Sequence, residues 1–260
     1  MRLRFLGTGS AVGVPAFFCG CRACEEAIAD GKARRTRSSV VLEGEAFYLL
    51  DASPDLRTQF LREHVSRLDG LFLTHQHFDH SGGIGELESY VRVSRREPLP
   101  AYLTKESRRW LESAFGYMSD CFAIQEWAAG WQIDLREMVV TAVEAQHEPG
   151  TVGILIETAG GSRTAYLPDT GPLPEATKKQ LEGVDTLILG ATFWKGNWMP
   201  ETHLSIEQAV DLGLELKVGR LYLTHLAMHH QPVTNREVNE YLWSRGRNLH
   251  MACDGMCIEI

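Results

Sequence analysis

Leu71-Phe72-Leu73-Thr74-His75-Gln76-His77-Phe78-Asp79-His80 is the stretch on which the reading of this chain turns. Its first four residues form an apolar run closed by a threonine, as expected of a short strand covered on both faces. The next six hold three histidines and an aspartate. Burying so many imidazoles and a carboxylate without partners is costly, so a packed core suits them poorly. Imidazole nitrogens suit zinc, iron or manganese, and the carboxylate adds affinity for harder ions. His75 and His77 can point one way while Asp79 and His80 turn toward a second position, a spacing that suits two adjacent metals. The competing reading is a solvated histidine-rich loop, a risk every short motif carries.

Two metals need further ligands, and three candidates follow later, each behind an apolar strand. His147 comes after residues 139–145, Asp169 after Tyr166-Leu167-Pro168, and His225 after Leu221-Tyr222-Leu223-Thr224. One His or Asp at a strand end is most often a loop residue. The repetition of the pattern is what points to a shared site. Asp169 can bridge two ions, because a carboxylate accepts at both oxygens.

Residues 2–6 read as a strand ending at the turn Gly7-Thr8-Gly9-Ser10, and 38–42 with 46–50 as a hairpin about Gly44. Pro54 opens a helix to about residue 64, and Gly82-Gly83 precede another to about 93. Segments 153–157, 164–167, 186–189 and 220–223 read as strands, and 205–216 and 234–243 as helices. Glu237, three residues after Thr234, completes a capping box. Cys253-Asp254-Gly255-Met256 carries a hairpin turn signal. Strands interleaved with helices predict an α/β (α+β) fold with helices outside the sheet. With no internal repeat or low-complexity linker, 1–260 reads as a single domain.

The 260 residues are 44% hydrophobic and 23% charged. These are globular values that exclude disorder, collagen, coiled coil and a disulfide mini-protein; a chain of this length buries a large core without disulfides. No run of about 18 apolar residues occurs, which excludes a membrane-spanning helix. A Gly-rich turn arrives too early for a secretory signal, so a cytoplasmic protein is expected. The net charge of −8 argues against broad nucleic-acid binding, which relies on a positive surface. Two basic clusters, Lys32, Arg34, Arg35 and Arg37, then Arg92, Arg95 and Arg96, read as solvated faces. Cys19, Cys21 and Cys24 fall within six positions; in a reducing compartment such a trio suggests metal more than disulfide.

The ordered set His75, His77, Asp79, His80, His147, Asp169 and His225 resembles the metallo-β-lactamase superfamily. The motif there is His-x-His-x-Asp-His, then a distant His, a bridging Asp and a final His, and all seven positions are filled in order. The resemblance implies a four-layer αββα sandwich with two divalent ions (zinc, manganese or iron) at one edge between the sheets. His75, His77 and His147 would hold one ion, Asp79, His80 and His225 the other, and Asp169 both. Asp51 would orient a ligand histidine from behind. Gly7-Thr8-Gly9-Ser10, Val14-Pro15 and Cys19-x-Cys21-x-x-Cys24 resemble the cyclic phosphodiesterases of phosphonate breakdown. The same region also resembles the pyrroloquinoline-quinone biosynthesis B proteins, as do Arg35-Thr36-Arg37-Ser38-Ser39, Ala52-Ser53-Pro54-Asp55-Leu56-Arg57, Gly190-Ala191-Thr192-Phe193-Trp194 and Asp254-Gly255-Met256. The B proteins generally carry a degenerate His-rich motif, whereas here it is intact.

In the phosphodiesterases, three such cysteines and a histidine three residues past the last active-site His hold a structural zinc. That position is Met228 here, and His229 is expected to complete the site, with His230 behind it. Otherwise the loop at about 15–30 holds three reduced cysteines. The resemblance also bears on His203. In the phosphodiesterase and tRNA-processing branches a histidine of this region faces the scissile phosphate, where imidazole can protonate the leaving oxygen. The plainer reading is a polar residue ahead of a helix capped by Ser205. Phe193, Trp194 and Trp198 line the pocket or pack in the core. The expectation is a dinuclear phosphodiesterase with Asp79 and His203 in its catalytic machinery, taking a small cyclic phosphodiester. No basic arm for long RNA and no membrane partner are foreseen, and a homodimer is compatible with this. The alternatives are an iron-dependent oxidoreductase like the B proteins, a nuclease like the tRNA 3′-end endonucleases, and a metal-binding protein without catalysis.

Overall fold

The computed structural model describes residues 1–260, and its strands form two seven-stranded sheets. The first contains β1 (Arg2–Gly7), β2 (Ser39–Glu43), β3 (Phe47–Leu50), β4 (Gly70–Phe72), β5 (Leu99–Leu103) and β6 (Phe122–Glu126). The second contains β7 (Gln132–Leu135), β8 (Met138–Glu144), β9 (Val152–Thr158), β10 (Arg163–Leu167), β11 (Thr186–Gly190), β12 (Arg220–Thr224) and β13 (Leu249–Met251). β14 (Cys257–Glu259) returns to the first sheet beside β1. The spatial orders are β14-β1-β2-β3-β4-β5-β6 and β13-β12-β11-β10-β9-β8-β7. Pairing is antiparallel from β14 to β3 and from β7 to β10, and parallel elsewhere.

The helices are α1 (Arg22–Ala29), α2 (Leu56–Glu63), α3 (Phe78–Ser81), α4 (Ile84–Ser89), α5 (Lys105–Phe115), α6 (Glu175–Leu181), α7 (Ile206–Glu215) and α8 (Asn235–Arg245). Alternation along the strands explains the layers, because successive side chains leave opposite faces. Val40, Leu42, Leu50 and Phe72 meet Val140, Ile154, Tyr166 and Ile188 between the sheets. The intervening Val41, Leu49 and Leu71 pack with Leu56, Ile84 and Leu111 of α2, α4 and α5. On the far side, Ala165, Leu187, Leu189 and Leu221 pack with Leu181, Ile206, Val210 and Val238 of α6, α7 and α8. The expected αββα layering is what these contacts produce. No helix is long and apolar enough to cross a membrane.

Two local expectations are corrected. The turn at 253–256 closes no hairpin: β13 pairs parallel with β12, whereas β14 pairs antiparallel with β1. The turn passes the chain from one sheet to the other, with Gly255 at a φ of 83° that favours glycine. Arg35, placed on a solvated face by its basic neighbours, is 2% exposed. Its guanidinium donates to Thr8 Oγ1 (2.8 Å), the Ala252 carbonyl (2.6 Å), Asn235 Oδ1 (3.0 Å) and Met228 Sδ (3.2 Å), so one buried cation ties four segments.

Candidate metal centre

Asp51, His75, His147, Asp169 and His225 each stand within three residues of the C-terminal end of a strand, β3, β4, β8, β10 and β12. Strand ends of both sheets therefore deliver the ligand types to one edge of the sandwich. The motif after β4 divides between loop and helix. His75 and His77 lie on the loop, and α3 begins at Phe78, so Asp79 and His80 sit in its single turn.

The side chains gather in two groups, His75, His77 and His147 in one and Asp79, His80, Asp169 and His225 in the other. Within each, the ligand-type atoms lie within 4.8 Å of one another. Asp169 joins the groups: its Oδ2 is 2.6 Å from His80 Nε2 and 3.7 Å from His75 Nε2. Asp79 Oδ2 is 3.3 Å from His80 Nε2 and 3.2 Å from His225 Nε2. His77 Nδ1 and His147 Nε2 are 3.1 Å apart. His75 Nε2 and His80 Nε2 are buried without a hydrogen-bond partner, the short approach of His80 to Asp169 included. Orphaned buried nitrogens are rare. Converging on carboxylate oxygens, these fit a divalent cation.

Electrostatics prepares the same role. Burial, reinforced by His80, pushes His75 well below the ordinary histidine range, so its ring is neutral as a ligand must be. Burial also lowers His147. Burial works against the Asp169 charge, but His225 and His80 outweigh it and hold the carboxyl well below the usual range. Asp79 is held down against burial by His80 and His225. His80 is opposed by burial and raised well above its ordinary value by Asp79, Asp169 and Asp51. A cation held among these atoms would displace the proton that His80 carries there.

Behind the ligands, Asp51 is fully buried at a φ of 62°, a left-handed conformation that Asp tolerates better than most residues. Its Oδ1 accepts from Thr74 N–H (2.8 Å) and Thr74 Oγ1–H (2.9 Å), and its Oδ2 from Tyr166 O–H (3.2 Å) and His80 Nδ1–H (2.9 Å). Because the Thr74 proton goes to Asp51, Thr74 Oγ1 accepts from His75 Nδ1–H at 3.1 Å. One carboxylate thus orients a histidine in each group and leaves both Nε2 lone pairs for metal. His147 Nδ1–H donates to the Thr202 carbonyl at 2.9 Å, which fixes that ring likewise. Asp51 was foreseen; Thr74 and Tyr166 were not, since nothing in a strand-end threonine or a core tyrosine marks it from the sequence.

His203 Nδ1 lies 3.2 Å from Asp169 Oδ1, and His203 gathers with His147 and Asp169. Phe193 is buried with its ring 6.1 Å from that of His203 and 5.1 Å from the exposed Trp198. Trp194 instead packs on Tyr241. Beside His147 opens a cleft of about 720 Å³ whose lining includes Lys105, Glu106, Glu126, Trp131, Glu144 and Glu148.

The Cys19, Cys21 and Cys24 sulfurs lie within 4.8 Å of one another at the start of α1, and that group includes neither His229 nor His230. The expected fourth ligand is thus not in place, and three sulfurs leave a tetrahedral site one ligand short. Met228 is turned to Arg35. His229 is nonetheless buried with both ring nitrogens unpartnered. Its segment runs beside the cysteine loop, where Arg22 Nε and Nη2 donate to the Pro232 carbonyl at 3.0 and 2.9 Å. Burial pushes the Cys24 thiol up to about 11, and hydrogen bonding to Cys21 lowers Cys19.

Residues 47–226 match the family model described as the beta-lactamase superfamily domain. The chain belongs to the metallo-β-lactamase superfamily. Members of this superfamily are generally metal-dependent hydrolases. An octanoyltransferase of Porphyromonas gingivalis is 25% identical over 264 residues, matching 98% of this chain but 51% of its own length, so the chain spans about half of that relative. Coenzyme PQQ synthesis protein B of Methylorubrum extorquens is 25% identical over 306 residues, with 100% of both chains covered. A crystal structure of a diphosphatase from the PhnP family has a TM-score of 0.85 at 27% identity, covering 100% of this chain and 97% of that one. Zn²⁺-bound PqqB from Methylobacterium extorquens shares the fold, with a TM-score of 0.83 at 23% identity and full coverage of both chains.

Proposed function

We propose that this superfamily member is a dinuclear metal-dependent phosphodiesterase acting on a small cyclic phosphodiester. The observation that carries the reading is Asp169, one of whose oxygens lies 2.6 Å from a nitrogen of one ligand group and 3.7 Å from a nitrogen of the other. His75, His77 and His147 would hold one zinc, manganese or iron ion, Asp79, His80 and His225 a second, and Asp169 both. These residues would hold divalent ions whose chemistry there would be water activation and neutralisation of phosphoryl charge. The remaining work belongs to the chain. Asp51 and Thr74 keep the His75 and His80 rings oriented, and His203, beside Asp169, supplies a proton to the leaving oxygen. The cleft beside His147 suits a small molecule. Its four glutamates repel a long polyanion, which supports a small substrate over RNA. Cys19, Cys21 and Cys24 would form a structural zinc site, closed by a swing of His229, whose unpartnered nitrogens support that role.

Elemental analysis of the purified protein, paired with a screen of cyclic and linear phosphodiesters, lactones and thioesters, tests this. The expected result is hydrolysis of a cyclic phosphodiester with zinc or manganese under anaerobic conditions. No phosphodiester hydrolysis with any loaded metal refutes it. The likeness to coenzyme PQQ synthesis protein B over the whole of both chains supports a second reading, an iron-dependent oxidoreductase in quinone-cofactor synthesis, which activity requiring iron and dioxygen would favour.

A further inference from the structure

Thr192 stands two residues past the end of β11, 8% exposed, in a segment pinned from both sides. Ala227 N–H donates to its carbonyl at 3.1 Å, which ties it to the turn after His225. The next residue, Phe193, exchanges backbone bonds with the segment after His203: its N–H donates to the Leu204 carbonyl (3.4 Å), and its carbonyl accepts from Ile206 N–H (2.7 Å). The Thr192 hydroxyl occupies the space between the two histidines. Its Oγ1 is 3.0 Å from His225 Nδ1 and 3.3 Å from His203 Nδ1, and the two rings lie nearly parallel, 13° apart, with centroids separated by 5.7 Å.

The direction of each bond follows from what each atom can do. His225 Nε2 is 3.2 Å from Asp79 Oδ2, among the ligand atoms, so a His225 that binds metal there carries its proton on Nδ1. That proton has two neighbours, Thr192 Oγ1 and Asp169 Oδ1, the latter at 3.2 Å. Only the threonine lies in hydrogen-bond geometry, and Asp169 Oδ1 is left without a partner. With a metal on Nε2, Thr192 Oγ1 would therefore accept from His225. A hydroxyl that accepts there keeps its own proton to give, and the remaining neighbour is His203 Nδ1. We propose that Thr192 is a positioning residue whose hydroxyl accepts from His225 Nδ1–H and donates to His203 Nδ1, so that His203 carries its proton on Nε2. The direction rests on the reading of His225 Nε2 as a metal ligand.

The proton positions can be read directly. In zinc-loaded protein with ¹⁵N-labelled histidine, long-range ¹H–¹⁵N correlation at alkaline pH reads which nitrogen of each neutral ring is protonated. The parent is expected to show His203 protonated at Nε2 and His225 at Nδ1. Thr192→Val, close in shape but without a hydroxyl, should keep its zinc and show a His203 population protonated at Nδ1, turned toward Asp169 Oδ1. Thr192→Ser should restore the parent pattern. A parent His203 already protonated at Nδ1, or a pattern unchanged in Thr192→Val, overturns the proposal, and the parent measurement decides even if the valine variant fails to fold. A parent without phosphodiesterase activity would count against the proposed function alone and leave the spectroscopic result standing.

Discussion

Replacing Asp51 with asparagine should impair metal binding from behind the ligands. The side chain keeps its shape, and asparagine tolerates the φ of 62° at this position. The new amide has one acceptor oxygen where the carboxylate had two. Its orientation is dictated by Thr74, whose backbone N–H lies 2.8 Å from Oδ1 and cannot reverse its polarity. The amide NH₂ must then take the place of Oδ2, facing Tyr166 Oη at 3.2 Å and His80 Nδ1 at 2.9 Å. Tyrosine can rotate its proton away and accept. His80 can accept only by moving its proton to Nε2, the atom 3.3 Å from Asp79 Oδ2 that would face a bound cation. Loss of such outer hydrogen bonds costs about 10–100-fold in metal affinity, or about 1.4–2.8 kcal/mol. Zinc competition against a chromophoric chelator measures this directly. Tyr166→Phe, which removes one donor and leaves the His80 tautomer alone, should change affinity by no more than about threefold. Parent-like affinity in Asp51→Asn would show that Asp51 does not set the His80 proton.

Asp169→Ala removes the oxygen shared by both ligand groups, so bound active-site metal should fall and turnover should drop by orders of magnitude; full metal with near-parent turnover would show that Asp169 is no bridge. Cys21→Ser should release one zinc and lower Tm, because a closed site contributes its binding energy to folding, while the His/Asp centre stays loaded in the cold. Unchanged zinc content and Tm would reject the structural site. His203→Ala should retain its metal and lose about 10²–10⁴ in kcat on substrates with poor leaving groups. Its loss on bis(p-nitrophenyl) phosphate, whose phenolate needs little protonation, should be much smaller, and equal losses would make His203 a packing or substrate-binding residue.

The gathering of the His/Asp set was legible because its members follow apolar strands closely, and a strand end is a signal carried by adjacent residues. What the strands pair with is not local. Cys253-Asp254-Gly255-Met256 has the composition of a tight turn and makes one, yet its flanking strands belong to different sheets, a choice made by β12 and β1 far away in sequence. Arg35 shows the same limit. Its basic neighbours suggest solvent, but Thr8, Ala252, Asn235 and Met228 supply acceptors only once the fold is closed. β5 through β7, with α5 between, escaped the pattern because β6 and β7 are largely exposed and lack a clean apolar run. Thr192 and Tyr166 make their contacts through single hydroxyls, and no spacing rule marks a hydroxyl that meets a histidine or carboxylate distant in sequence.

The division of the ligands between sheets also bears on the order of events at the ribosome. Asp51, His75, His77, Asp79 and His80 follow strands of the first sheet and emerge early, whereas His147, Asp169 and His225 follow strands of the second. At about 5–20 residues per second, the interval between His80 and His225 is on the order of ten seconds. Early in that interval the nascent chain displays three histidines and a carboxylate, with His147 and Asp169 joining partway and His225 last. A cation captured then would sit on a partial and exchangeable site. On the proposed assignment, the full set would assemble only when β12 docks against β11, and tight metal retention would be a late step of folding.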